Sequence, residues 1–231
     1  MDFQLSPERQ ALREQAGEFR ERHESTIRDH ARESTFPVEV YEEGMERGLG
    51  NVIVPEAYGG RGGGAMEYAL VAEQVGLFQI SFQLQRSVIA CGTEAQRERH
   101  LPGFVDGDAV GAISISEPET GSSLKSMETT LERDGDGYVL DGFKSHVNLA
   151  SEATVHEVYA MGEEGLTVVL VDGDDPGVEV AEKRDPIGTR YLPIYDVAYD
   201  ECRVDESQVL LDPGDGYEVF FETFNFSRIG N

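Results

Sequence analysis

The sequence predicts an α+β protein: an N-terminal all-helical domain, then a small β-barrel or sandwich, then the first turns of a truncated C-terminal helical domain. Three observations carry this reading. Apolar residues recur at helical spacing through the N-terminal part of the chain. Around Val110 the period drops from 3.6 to 2. From Gly216 the helical period returns (Val219, Phe220, Phe224) and runs toward the last residue, Asn231, without a cap. The expected boundaries are 1–110, 111–212 and 213–231.

Ser6-Pro7-Glu8 is a helix start, with Ser as cap, Pro at the first helical position and an acid in the first turn. Leu12, Ala16, Phe19, Ile27 and Ala31 form one apolar stripe on a long helix that Phe36-Pro37 should stop. A second short helix is expected to reach about Gly48. "GNVIVPEAYGGRGGG" reads as a loop, because its glycines permit positive φ. "AMEYALVAEQVG", "SFQLQRSVIA" and "TEAQRERHLPGFVDGD" read as further helices, the last capped by Thr93 and closed by Gly107.

The β region opens with "AISISEPETGSSLKS", Ala112 to Ser126. Ile113 and Ile115 alternate with small residues as in a half-buried strand. The strand then meets Glu117-Pro118 and a turn of Thr, Gly and Ser. Such an end is either an ordinary turn with serines as local caps, or a surface against which a ligand lies. "METTLERDGDGYVLDGFKSHV" is a hairpin turning at Asp134–Gly137. "LTVVLVDGDDPGVEVAE" reads as a second strand–turn–strand unit, and "PIYDVAYDECRV" alternates again.

Composition narrows the class. The 231 residues hold 45 Asp plus Glu against 19 Lys plus Arg, a net charge of −26, and lysine occurs only at Lys125, Lys144 and Lys183. Acid spread along the whole chain with so little lysine reads as a protein adapted to high salt, the alternative being a merely acidic mesophile protein. No basic face exists to neutralise phosphates, which disfavours nucleic acid as a partner. Cys91 and Cys202 lie far apart and read as reduced thiols of a cytoplasmic protein. No apolar run is long enough to span a membrane, "MDFQLSPERQ" lacks the order of a signal peptide, and the five His show no metal-ligand spacing.

Five motifs occur in an order that resembles the acyl-CoA dehydrogenase family of flavoproteins. "VPEAYGGRGGG" is similar to its I-P-E-x-x-G-G-x-G loop, and "GTEAQRERHLPGFVDGD" to its G-[TN]-x-x-Q-[KR]-x-x-[YH]-L segment. "SEPETGSS" is similar to T-E-P-x-A-G-S-D. "RDGDGYVLDGFKSHVN" is similar to G-x-x-[YW]-x-[IL]-[NS]-G-x-K-x-W-I-[TS]-N. "DPIGTRYLPIYDVAYDECRV" resembles the stretch that closes the family's middle domain. The resemblance spans essentially the whole chain.

What the resemblance implies is FAD held against the β domain and α,β-dehydrogenation of an acyl-CoA thioester. Ile113, Ile115, Ser116, Gly121 and Ser122 would carry the flavin-binding strand and turn, with Ser122 also able to reach the thioester's pantetheine arm. His146, Val147 and Asn148 would form the second flavin-facing segment. "FNFSR" resembles the family's F-[DN]-x-x-R, which makes Asn225 and Arg228 substrate-binding candidates. As an alternative, Arg228 is simply one arginine of an acidic protein. The family's usual electron acceptor is an electron-transfer flavoprotein, and its catalytic base lies in a C-terminal helical domain. Assembly is therefore implied, as a homo-oligomer or with a separate C-terminal partner. No carboxylate of this chain, Glu117 included, is nominated as the base.

Departures from the pattern keep other readings open. His146-Val147-Asn148 stands where the family has Trp-Ile-Thr, and the chain contains no Trp. The imidazole can serve as an acid–base group or as a surface or packing histidine. Ser123 replaces an acidic residue, and the segment from Gly76 to Gly92 is several residues shorter than usual. A non-catalytic flavin- or CoA-binding module, or a flavin-dependent monooxygenase or nitroalkane-type oxidase of the same fold, are the alternatives. Phe220, Phe221, Phe224 and Phe226 are expected to form an exposed apolar helix end.

Overall fold

The structure, a computed structural model, describes residues 4–230. Helix α1 spans Pro7–Glu33, with the Ser6 hydroxyl accepting the Arg9 amide. It ends at Ser34, whose left-handed backbone (φ 55°) closes it before Pro37 is reached. Pro37 instead starts α2, Val38–Glu46. Helix α3 (Ala65–Ala72) is shorter than its apolar pattern, because the chain turns at Val75–Phe78 before α4, Gln79–Cys91. Helix α4 is the central helix: Ile80, Phe82, Leu84, Val88 and Cys91 are all buried. Helix α5 (Glu94–Asp106) begins with the expected cap, Thr93 exchanging hydrogen bonds with Gln96. The Gln96 amide also donates to the Ser207 and Val209 carbonyls, 2.8 Å each, and so ties the helical part to the sheet.

Eight strands follow: β1 (Gly111–Ser114), β2 (Thr130–Asp134), β3 (Gly137–Asn148), β4 (Val155–Gly162), β5 (Gly165–Asp172), β6 (Val178–Arg184), β7 (Ile194–Asp205) and β8 (Val209–Leu210). They form one curved sheet ordered β6-β7-β3-β2-β4-β5-β8, with β1 parallel to β4. The β2–β3 hairpin turns where expected, with Gly135 at φ 67°. The second strand–turn–strand unit is present as β5, a turn and β6. Strands β5 and β6 do not pair; β5 lies between β4 and β8, whereas β6 pairs with β7. The intervening turn bonds instead to the chain before β4 and to β7, through Gly173 N–H to the Thr154 carbonyl and Asp200 N–H to the Gly177 carbonyl.

The sheet wraps a core of its own, including Leu140, Val147, Val158, Val169, Val197 and Tyr199. Its other face packs on the helices through Val155, Tyr159 and Val168, with Leu84, Val88 and Leu101 opposite. Helix α6 (Gly216–Ser227) closes the fold, burying Gly216, Val219, Thr223 and Ser227. The expected exposed apolar end holds for Phe221, 54% exposed, and is corrected for Phe226, which stacks on Tyr68 at 4.9 Å; Phe220 and Phe224 stack on each other along α6 at 4.6 Å. Among the described residues no helix is long and apolar enough to cross a membrane, and no group of His, Cys, Asp and Glu is arranged to hold a metal. Both cysteines are free and buried.

Candidate functional site

The end of β1 and the middle of β3 are drawn together by one buried ion pair. Lys144 Nζ donates to Glu117 Oε1 at 2.8 Å and to the Ile115 carbonyl at 3.2 Å. Glu117 also accepts the Glu128 and Thr129 amides, at 2.6 and 2.9 Å. Burial alone would raise the Glu117 carboxyl, but Lys144 and these Thr129 and Glu128 donors outweigh it and hold the group below its ordinary value. A backbone bond from Ser145 N–H to the Ser116 carbonyl, 2.8 Å, completes the junction.

Strand β3 is irregular at this point. Its register against β7 shifts between Lys144 and Val147, and His146 takes a left-handed backbone, φ 59°. Bulges of this kind re-aim side chains. Here the bulge leaves His146 exposed and sends Val147 fully into the sheet core.

Two clefts open beside the junction. The first, about 360 Å³, is lined by Ile113, Ile115, Ser116, His146 and Asn148 from one side, with Ile80, Gln83, Leu192, Ile194 and Phe224 among the rest. The second, about 770 Å³, is lined by Ile115, Ser116 and the Gly121–Lys125 turn on one side. Its other wall is Tyr217, Phe220, Phe221, Phe224 and Arg228, from α6 and its C-terminal end. Ile115, Ser116 and Phe224 belong to both, so the two are arms of one groove.

Most of the residues singled out in the sequence therefore meet. Ile113, Ile115, Ser116, Gly121, Ser122, His146, Asn148 and Arg228 all line the groove. Two do not. The Val147 side chain faces the sheet core, and Asn225 is exposed on α6 outside both clefts. The Asn148 amide donates to the Leu192 carbonyl at 3.3 Å. Gly121 is open in a telling way: a Cβ built there meets no atom within 4 Å, and its φ lies outside the left-handed range. Nothing in the fold itself demands glycine at that position, whereas a closely seated ligand would.

The charge on the groove is opposite to that of the chain. No carboxylate lines either arm, in a sequence with 45 of them. Among the described residues Lys125 and Arg228 are the Lys and Arg side chains with neither an ion pair nor a hydrogen bond, and both line the larger arm. Arg228 lies over the Phe224 ring, 3.9 Å from its centroid. Lys125 is not among the sequence candidates. Its one signal is rarity, as one of three lysines, placed shortly after the Gly-Ser-Ser turn.

Comparison with known proteins gives this groove its setting. The family models for the acyl-CoA dehydrogenase N-terminal domain and middle domain match residues 6–108 and 112–202. The probable acyl-CoA dehydrogenase YngJ of Bacillus subtilis is 30% identical over 245 residues, covering 99% of this chain and 64% of that protein. A chain in the structure of the electron transferring flavoprotein of Acidaminococcus fermentans superposes with TM-score 0.93 at 25% identity, covering 100% of this chain and 64% of its own. A glutaryl-CoA dehydrogenase of Mycobacterium smegmatis in complex with FADH2 superposes with TM-score 0.89 at 25% identity, covering 98% and 61%. The chain thus spans less than two thirds of the length of the relatives it matches. With both family domains matched in order over most of its residues, the chain belongs to the acyl-CoA dehydrogenase family.

Proposed function

We propose that this chain forms the flavin- and thioester-binding platform of an acyl-CoA dehydrogenase. The observation that carries the reading is the single groove joining Ile113–Ser122 to His146 and Asn148, with unpaired Lys125 and Arg228 in its larger arm. The smaller arm fits an isoalloxazine in chemistry: isoleucines for the ring faces, and Ser116 and Asn148 as small polar groups for its edge. Gly121, open to a ligand, lies in the larger arm, where it leaves room for the thioester. The relative solved with FADH2 supports FAD as the group held. FAD would supply the acceptor for a hydride from the acyl β-carbon.

This chain's own residues bind, orient and exclude water. Ser122, Lys125 and Arg228 would meet the pantetheine and phosphate end of the thioester, and the Phe220 and Phe224 rings its apolar part. None of the groove residues is a carboxylate, so removal of the α-proton is assigned to a group outside the described residues. Reoxidation by an electron-transfer flavoprotein, and assembly as a homo-oligomer or with a separate partner, complete the reading. The likeness to the Acidaminococcus chain supports the former.

The test is purification in molar KCl with FAD. A retained yellow flavin band that weakens in the Ser116→Ala/Ser122→Ala variant supports the platform. A colourless protein after gel filtration refutes it. The absence of a carboxylate from the groove also favours a second reading, a module that binds flavin or CoA without chemistry. Adding an acyl-CoA dehydrogenase C-terminal helical domain in trans, with acyl-CoA, separates the two: bleaching of the flavin band supports the platform, and retained binding without bleaching leaves the module.

A further inference from the structure

Glu157 lies on β4 beneath the α6 wall of the groove, with none of its surface exposed. The Tyr159 hydroxyl donates to Oε1 at 2.8 Å, and Oε2 has no partner. Its strand neighbours are apolar, Ile113 on β1 and Leu170 on β5. From α4 come Ser87 and Cys91, and from α6 comes Thr223, whose hydroxyl lies 2.5 Å from that of Ser87. The charged groups nearby offer no compensation. Arg86 on α4 is engaged by Glu222 of α6 at 2.5 Å, and Glu218 on α6 is a further anion. The phenol of Tyr159 and the thiol of Cys91 are both raised, burial being the main cause. Burial likewise pushes the Glu157 carboxyl up to about 7, against the opposing pull of the Ser87 and Tyr159 hydroxyls.

The seat of α6 is sensitive to what happens at this point. Its buried stripe is Gly216, Val219, Thr223 and Ser227, with one larger aliphatic side chain among them. Thr223 is hydrogen-bonded to Ser87, and the Phe220 ring packs edge-on against Tyr159 at 6.3 Å. Tyr217, Phe220 and Phe226 add apolar contact at the flanks and the C-terminal end of the helix, so the polar junction at Thr223 is the point of its seat that Glu157 can disturb. A carboxylate there without a counter-charge must recruit water to exist.

We propose that Glu157 is a positioning residue for the groove: as the neutral acid it seats α6 on α4 and β4, and its ionisation loosens the helix and with it the wall formed by Tyr217, Phe220, Phe224 and Arg228. The seating of α6 stands independently of what the groove binds; its consequence for a thioester rests on the function proposed above.

Hydrogen exchange of the α6 amides in the 231-residue chain, compared with Glu157→Gln at each pH so that intrinsic rates cancel, tests this. Between about pH 5 and 8 the wild-type α6 amides lose protection by roughly 50-fold relative to the variant, with little further change above. Glu157→Leu serves the same comparison if the amide variant fails to fold. Parallel profiles in wild type and variant, or a flat wild-type profile, overturn the proposal. Titration with coenzyme A separates the two claims. Affinity that falls with α6 protection in the wild type and not in the variant supports both. Affinity that stays level while α6 loosens leaves the positioning of α6 standing and overturns its role in the groove.

Discussion

Lys144 and Glu117 form an ion pair 2.8 Å long in which neither side chain is more than 4% exposed. The pair joins the bulge of β3 to the end of β1, and it therefore fixes the spacing between His146 and Ser116 across the smaller arm of the groove. It also removes Glu117 from consideration as a catalytic base, because its oxygens are committed to Lys144 and to two backbone amides.

Removing one partner should be far worse than removing both charges. Lys144→Met leaves Glu117 buried without its cation and is expected to cost about 3–5 kcal/mol. Lys144→Met/Glu117→Gln should lose less, since no unpaired charge remains. Denaturant midpoints of the two variants, measured in the same salt, check the order. A double variant less stable than the single one would contradict it.

How far the sequence reveals this depends on the kind of signal each element carries. Helices α1 and α5 are legible because their caps are local: Ser6 and Thr93 act on amides three residues away. The β2–β3 turn is legible for the same reason. Strand β4 gives no alternation, since residues 155–160 are buried on both faces, and the strand pairs with β5 along one edge and with β1 and β2 along the other. The pairing of β6 with β7 rather than β5 is set across the sheet, not by the turn at Asp174–Gly177. In the site, the two motif segments do meet, but the bulge that turns Val147 inward has no local signature. Lys125 escapes a reading of the sequence because its significance is collective: it shows only once the partners of the other cations are known.

A buried acid with a raised value makes stability fall as pH rises. Below about 4.5 Glu157 is protonated in both folded and unfolded chains and contributes no pH dependence. Between 4.5 and about 7 the unfolded chain releases the proton and the folded one keeps it, so stability declines through that window and levels off above it. At about 1.36 kcal/mol per pH unit the loss is about 3 kcal/mol. The difference in unfolding free energy between Glu157→Gln and wild type should therefore grow from pH 4.5 to about 7 and stay level above. A difference independent of pH would place the proton elsewhere.

Lys125 and Arg228 predict a salt-dependent ligand. Each sits at a partly open mouth, so Lys125→Ala or Arg228→Ala is expected to weaken coenzyme A binding by about 1 kcal/mol, a factor near five, at low salt. In molar KCl the Debye length falls to about 3 Å and the effect of Lys125→Ala should largely vanish. Arg228→Ala should retain part of its effect, because the guanidinium also covers the Phe224 ring. Calorimetric titration at two salt concentrations reads both. Equal losses at low and high salt would show that neither cation acts through its charge.

Gly121 allows stability and ligand binding to be separated cleanly. A side chain at this position meets no protein atom within 4 Å and requires no left-handed backbone, so the fold should accept it. Gly121→Val is expected to leave the melting temperature unchanged or slightly raised, since the unfolded chain loses freedom by up to about 1 kcal/mol. The added methyl groups would enter the larger arm beside Ser122, in space that the proposed ligand occupies. Retention of flavin or affinity for coenzyme A should fall by about tenfold or more, while the Lys144–Glu117 junction and the thermal transition stay intact. Thermal melting and ligand titration on the same preparation check the two halves together. A variant that melts early would show that glycine serves the turn itself, and one that binds normally would remove the Gly121–Lys125 turn from the site.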